Sequence, residues 1–389
     1  MRATLLAGAI FALFIALPAR ADECTTDDRI ETDFGEVVST EIEIADGTSK
    51  DISPDINRGG IRYIQAMVRV APAPGRKWTL YVRDAFLRVV DVTTDASADA
   101  NGTAKTGRIP RGNGALYFDY AVTPKDSAPL KVSRIVLMPE GARNPYYSVQ
   151  DSNNVQFRSI LNISVPAEAR ALGDRVGMLM GSWDRRAWCC TAVAIAPDIV
   201  LTNWHCGGLK DEIAEDGFWQ DAVCARTSFD FSWDEDTISR EFQCVKVLQV
   251  DRDRDFAILR VKPRNGYDQL RPVQRWATAA AATPLTAIQH PVCRPKQVTQ
   301  GGDCKVRDAS VAGWQGTAGS DFTHTCDTNS GSSGSPMFDD SQRLVGLHHL
   351  GFQKINGTCD KKNKAVHSRS IFDSLNAEAK AALKDVTAN

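Results

Sequence analysis

Between residues 24 and 160 the chain alternates short apolar runs with turn-forming clusters. The runs at 61–70, 78–82, 86–92, 115–122 and 131–138 are rich in β-branched and aromatic residues. Ala73-Pro74-Gly75 and the stretch 99–107 punctuate them. Short, regularly spaced runs with Gly/Pro punctuation predict an antiparallel β-sandwich. The stretch 152–174 reads as a connector, with Pro166-Ala167-Glu168-Ala169 as a helical turn. Strand-like runs resume at 176–180, 191–195, 199–202, 244–250, 256–261, 285–290 and 344–350. Only the end of the chain has helical spacing: Ile371, Leu375, Ala379 and Leu383 recur on one face of a helix predicted over 370–386.

Composition divides the chain in the same place. Ten cysteines occur, one before residue 160 and nine from 189 to 359, and all six histidines lie beyond residue 200. The expected organisation is therefore a leader over 1–21, a β-rich region over 22–165 serving as binding, accessory or pro-region, and a second domain over 166–389. The leader has Arg2, an apolar run from Leu5 to Leu17, then Pro18 and the small-x-small site Ala19-Arg20-Ala21. That is an export signal with cleavage before Asp22, and it is shorter than the roughly 20 residues a membrane helix needs. No second long apolar stretch follows, so no membrane span is expected. The mature chain should be secreted or periplasmic, where an even number of cysteines forms disulfides. A formal net charge of -2 becomes -4 once Arg2 and Arg20 are removed. No basic excess marks a nucleic-acid partner. The cysteine and histidine spacing holds no zinc motif, and no cofactor is expected.

Three segments carry chemistry. From Thr191 to Cys206 two apolar runs flank a Pro197-Asp198 turn, and the second delivers His205 to its end. A Cys190–Cys206 bridge would pin the loop of this general base. Asp251-Arg252-Asp253-Arg254-Asp255 directly precedes the apolar run from Phe256. Asp255, last before burial, is placed to orient the imidazole, with Asp251 and Asp253 as alternatives. In Ser330-Gly331-Ser332-Ser333-Gly334-Ser335-Pro336, glycines around a serine pair let successive N–H groups face one point. Ser333 is the candidate nucleophile, and the N–H groups of Gly331 and Ser333 are the candidate oxyanion hole. The order His, Asp, Ser separates the chain from subtilisin-like enzymes and α/β-hydrolases.

At these residues the chain resembles the trypsin/chymotrypsin superfamily. Thr202 to Cys206, Asp255 to Leu259 and Gly331 to Pro336 match its three motifs, and Cys190 matches its partner cysteine. Ala287-Ile288-Gln289-His290-Pro291, Val345-Gly346-Leu347-His348-His349 and Asn363-Lys364-Ala365-Val366 resemble the bacterial glutamyl and lysyl endopeptidase branch. The resemblance covers about residues 176 to 385. It implies an all-β double barrel with a C-terminal helix, and a serine endopeptidase acting on protein or peptide substrates. The alternative is the same fold used for binding without catalysis. Ser332 stands where animal trypsins carry the aspartate that captures a newly cut N-terminus, so activation needs another route. For specificity the resemblance points two ways. Asp327, six residues before Ser333, implies basic side chains, whereas His348 implies acidic ones. Besides Cys190–Cys206, the pairings expected are Cys293–Cys304, Cys224–Cys244, Cys326–Cys359 and Cys24–Cys189.

Overall fold

The computed structural model describes residues 33–112, 114–125, 128–139, 147–148, 155–210, 212–234, 240–266, 268–355 and 358–384. The leader and its cleavage site lie outside the described residues.

Six strands make a closed barrel: Val176–Ser182, Thr227–Asp230, Glu241–Asp251, Phe256–Pro263, Ile199–Thr202 and Arg186–Ala196, with the last pairing back to the first. Both members of the predicted hairpin at 191–202 are fully buried, and so is the start of the Phe256 strand. This explains their continuous apolar runs: burial on both faces leaves no position for polar alternation. A second sheet of seven strands contains Arg158–Ser159, Gln297–Lys305, Pro284–Gln289, Pro336–Phe338, Leu344–Leu350, Asn363–His367 and Asp321–His324 in that order. Its two flanks are joined through the Val306–His324 bridge and the Cys304–Cys326 disulfide. Val193, Ile195 and Leu201 of the barrel share one core with Ile288, Val298, Leu347 and Val366 of this sheet. The architecture is the expected all-β double barrel.

The N-terminal region is two facing sheets. Ser49–Asp51, Tyr117–Thr123, Lys77–Arg83 and Val89–Thr94 form one. Tyr63–Arg69 and Leu130–Met138 lie in the other and pack Ile64, Val68 and Leu137 against Leu80, Phe118 and Tyr120. Asp33–Ile44, where acidic residues interleave the apolar ones, pairs with Leu130–Met138 along most of its length. It also pairs with Arg186–Ala196 through Gly35↔Ala187 and Glu36↔Arg186, making the N-terminal sheet continuous with the barrel. Buried ion pairs cross the same boundary: Arg264–Asp91 at 2.5 Å and Arg108–Asp230 at 3.0 Å.

Two expected elements shift. The run at 86–92 starts as a turn. Asp84 accepts from the amides of Phe86 and Arg88, an Asx turn that leaves Phe86 78% exposed, and the strand begins at Val89. The terminal helix is two helices, Ser368–Asp373 and Ala377–Ala382. Asn376 interrupts it because its side chain caps the second helix through the Ala379 amide at 2.7 Å. Ile371, Leu375, Ala379 and Leu383 are nonetheless all buried in the core shared by the two barrels.

The disulfides correct the expected pairing. Cys190–Cys206 and Cys224–Cys244 are present. Cys293 bonds Cys189, not Cys304, and Cys326 bonds Cys304, not Cys359. The Cys189–Cys293 bridge, between residues 104 apart, also replaces the expected Cys24–Cys189 pair. Cys24, and the side chain of Cys359, lie outside what is described. Among the described residues no helix is long and apolar enough to cross a membrane.

Candidate active site

The register of three neighbouring strands builds the first half of the site. Ile199–Thr202 runs antiparallel to Phe256–Pro263 with Thr202 opposite Ala257. The residue series leaving Thr202 and the one entering Ala257 therefore meet at the same barrel end. His205 and Asp255 come together there, 4% and 0% exposed. Asp255 Oδ1 accepts the His205 backbone N–H at 2.9 Å, and Oδ2 lies 2.7 Å from His205 Nδ1. An ionised carboxylate only accepts, so Nδ1 carries the proton and Nε2 of the neutral ring is left as a base. Asp255 adopts a left-handed φ of 51°, and Asn203 Nδ2 holds its carbonyl at 2.8 Å. The Cys190–Cys206 disulfide and the Trp188 indole, donating to the Cys206 carbonyl at 2.9 Å, fix the histidine loop. Of the alternative acids, Asp251 is taken by Arg254 at 3.0 Å.

Thr191 links this half to the serine loop. Its backbone N–H donates to the Ser333 carbonyl at 2.7 Å and its Oγ1 to the Gly331 carbonyl at 2.8 Å. Its own carbonyl accepts from Thr202 Oγ1 at 2.8 Å. Cys206 Sγ lies 4.0 Å from the Ser333 carbonyl oxygen, so Ser333 sits beside the residue that follows His205. Among the described residues the His205 ring bonds one side chain, Asp255, and not the Ser333 hydroxyl. Gly331 and Gly334 adopt φ of 88° and 85°. A Cβ on Gly331 would stand 2.6 Å from the His290 carbonyl oxygen. Within the loop, Ser332 N–H and Ser335 N–H bond the carbonyls of Asn329 and Ser332, and Gly334 N–H bonds that of His348. Neither the Gly331 nor the Ser333 N–H donates to any described residue, so both are available to a developing oxyanion.

The candidate specificity residues are both buried. Asp327 Oδ2 accepts the Gln156 backbone N–H at 2.8 Å. His348 Nδ1 lies 3.1 Å from His324 Nε2. Burial and the neighbouring histidines hold His348 well below the usual histidine value, and burial holds His324 at about 3.

Three further side chains, none of them a candidate site residue in the sequence, complete the site. His349 Nδ1 lies 3.2 Å from Asp255 Oδ2, and its Nε2 lies 2.8 Å from Asp321 Oδ2. Two carboxylates facing both ring nitrogens favour an imidazolium, which can donate to each of them. Burial opposes the charge, but Asp321 and Asp255 overcome it and raise His349 to about 9. Burial likewise opposes ionisation of Asp255, but His205 and His349 bring it down to about 2. Trp314 lies parallel to the His205 ring, 6.3 Å between centroids. The signal of His349 in the sequence is its place beside His348 at the end of the segment 345–349. Cys190, His205 and Cys206 bring potential metal donors within 4.8 Å, but the two sulfurs are bonded to each other and offer no thiolate.

Residues 190–347 match the family model described as a trypsin-like peptidase domain. Among solved structures the chain is similar to a Glu endopeptidase, at 19% identity over 60% of this chain and 99% of that one, with a TM-score of 0.41. It is also similar to Deg5, at 18% identity over 53% and 90%, with a TM-score of 0.39. The Rv3671c protease of M. tuberculosis in its inactive form matches at 17% identity over 57% and 92%, with a TM-score of 0.36. No curated protein matches the sequence. The match over 190–347 falls on the segments that supply His205, Asp255 and Ser333, and it supports the resemblance of this stretch to the trypsin/chymotrypsin-like serine protease superfamily.

Proposed function

We propose that the protein is an exported serine endopeptidase that cleaves peptide bonds by acyl transfer, with Ser333 as nucleophile, His205 as general base and Asp255 as its orienter. His205 Nε2 takes the Ser333 proton as Oγ attacks the peptide carbonyl. The N–H groups of Gly331 and Ser333 receive the oxyanion. His205 then protonates the leaving amine, and water repeats the sequence on the acyl-enzyme. The observation that carries this reading is the Asp255–His205 pair, with its tautomer fixed, beside a serine loop with two unspent N–H groups. Four disulfides among the described residues support export. Substitution Ser333→Ala should lower turnover by roughly four orders of magnitude or more with the fold retained. Undiminished peptidase activity in that variant sinks the assignment. The competing reading, a binding protein on the same fold, predicts that a fluorophosphonate probe leaves Ser333 unlabelled.

For specificity we assign the substrate side chain to His348 in preference to Asp327. The Asp327 carboxylate is engaged by the Gln156 amide, whereas His348 is an uncharged ring backed by a second one; beside an incoming substrate carboxylate it would take up a proton from solvent and pair with it. Profiling cleavage sites on a peptide library should return Glu or Asp before the scissile bond. Cleavage after Lys or Arg would reassign the role to Asp327.

A further inference from the structure

The loop from Asp327 to Ser333 must hold its two N–H groups in place without the aspartate–N-terminus salt bridge, because position 332 is a serine. Ser332 Oγ instead accepts the Asn329 N–H at 3.0 Å inside the loop. The remaining holds come from outside it. Gln289 Nε2 donates to the Asp327 carbonyl at 2.9 Å, and Val292 N–H to that of Ser330 at 2.6 Å. Thr191 takes the carbonyls of Gly331 and Ser333.

Two further holds come from chain that precedes the family match. Tyr147–Ser148 pairs antiparallel with Thr328–Asn329, in the register Tyr147↔Asn329 and Ser148↔Thr328. The Gln156 N–H donates to the Asp327 carboxylate, which is 0% exposed. The chain is then fixed to the second sheet through Arg158↔Val298, Ser159↔Gln297 and the Ile160 N–H on the Lys296 carbonyl at 3.0 Å. A buried carboxylate depends on its donors, and a backbone amide donating to an ionised oxygen is a strong hold.

We infer that Tyr147–Ser148 and the Gln156 amide are positioning elements of the active site, and that the working enzyme keeps them, so a cut that discards the N-terminal region cannot fall beyond Tyr147 without loss of activity. The inference rests on the serine endopeptidase reading. It assigns to uninterrupted upstream chain the bracing that a new N-terminus performs in animal trypsins.

The test compares Gln156→Pro, which removes the donor N–H and fixes φ, with Gln156→Ala, which keeps the N–H. Full-length variants are assayed for kcat and KM on a peptide substrate, for the rate of fluorophosphonate labelling and for melting temperature. Loss of a hydrogen bond to a charged group should lower kcat/KM and labelling of the Pro variant about 10- to 100-fold, chiefly in kcat. The Ala variant should stay within about twofold of the parent, since its N–H is retained. Equal activity of the two variants and the parent overturns the inference. Should Gln156→Pro fail to fold, Asp327→Ala against Asp327→Asn decides: the amide oxygen can still accept, so Asn should recover most of the activity that Ala loses. An Ala variant with parental kcat/KM overturns the inference. Mapping the labelled parent supplies an independent outcome, because an active chain that begins after Gln156 also overturns it. A parent that neither labels nor cleaves overturns the endopeptidase reading itself. An active parent indifferent to Gln156→Pro overturns this inference alone.

Discussion

At the scale of single residues, His349 extends the acid side of the site. Asp255 stands between two imidazoles, at 2.7 Å from His205 and 3.2 Å from His349. The second is charged, so it competes with His205 for the same carboxylate oxygen. Asp321 limits that competition by sharing the cation at 2.8 Å. On the proposed mechanism His349 is a positioning residue acting through Asp255. Replacing it in His349→Gln keeps a hydrogen-bond donor and removes the positive charge. Asp255 should then rise from about 2 towards the ordinary carboxylate value. With the competing cation gone, the acid limb of the pH profile of kcat/KM should move to higher pH, because that limb reports protonation of the free enzyme's base. A fall in activity with an unmoved limb would mean that His349 only packs.

Among elements, the strands that carry His205 and Asp255 were legible because each is an apolar run that ends on its polar residue. The serine loop was legible because glycines at 331 and 334 are required where φ is positive. What joins them was not. Thr191, His349 and Asp321 act across separations of 28 to 142 residues, through register that a pattern of apolar positions does not specify. The disulfides show the same limit. Cys190–Cys206 and Cys224–Cys244 close short loops and were expected, whereas Cys189–Cys293 spans 104 residues and depends on how the barrel meets the second sheet. The strand Asp33–Ile44 has no continuous apolar run; its signal is the alternation of buried Ile42 and Ile44 with exposed Glu41 and Glu43, the period of a half-buried strand. The serine loop also gives a test at this scale. A Cβ at Gly334 would overlap the Thr191 carbonyl oxygen, and φ there is 85°. Gly334→Ala must therefore displace the loop from Thr191. It should cost about 1–3 kcal/mol of stability through backbone strain alone. It should abolish turnover far beyond that loss of folded protein, measured by urea unfolding beside single-turnover acylation.

For the whole molecule, buried titratable groups shape stability against pH, and their signs can be worked out separately. Burial holds His290 and His324 at about 3, and His348 is held well below 6.5. A histidine depressed in the folded state contributes stability that is complete above its unfolded value of 6.5 and is lost as pH falls towards the folded value. Each such proton contributes a slope of about 1.4 kcal/mol per pH unit. Three of them make the acid side steep from pH 6.5 downward, before Asp255, at about 2 against 3.8 when unfolded, adds its own loss below 3.8. On the alkaline side His349 and Lys105 oppose each other. His349, raised to about 9, contributes stability that is complete below 6.5 and is lost as pH rises to 9. Lys105, brought down to about 7 mainly by burial at the boundary with the N-terminal region, contributes stability that grows between 7 and 10.5. Between about 7 and 9 these two slopes have opposite signs, and substitution should separate them. The stability advantage of the native chain over His349→Gln should shrink from pH 6.5 to 9. Its advantage over Lys105→Met should grow between pH 7 and 10.5, in urea unfolding at stepped pH with the disulfides intact. If the first difference were flat with pH, His349 would be neutral in the folded protein, and the two carboxylates facing it would have to share a proton in its place.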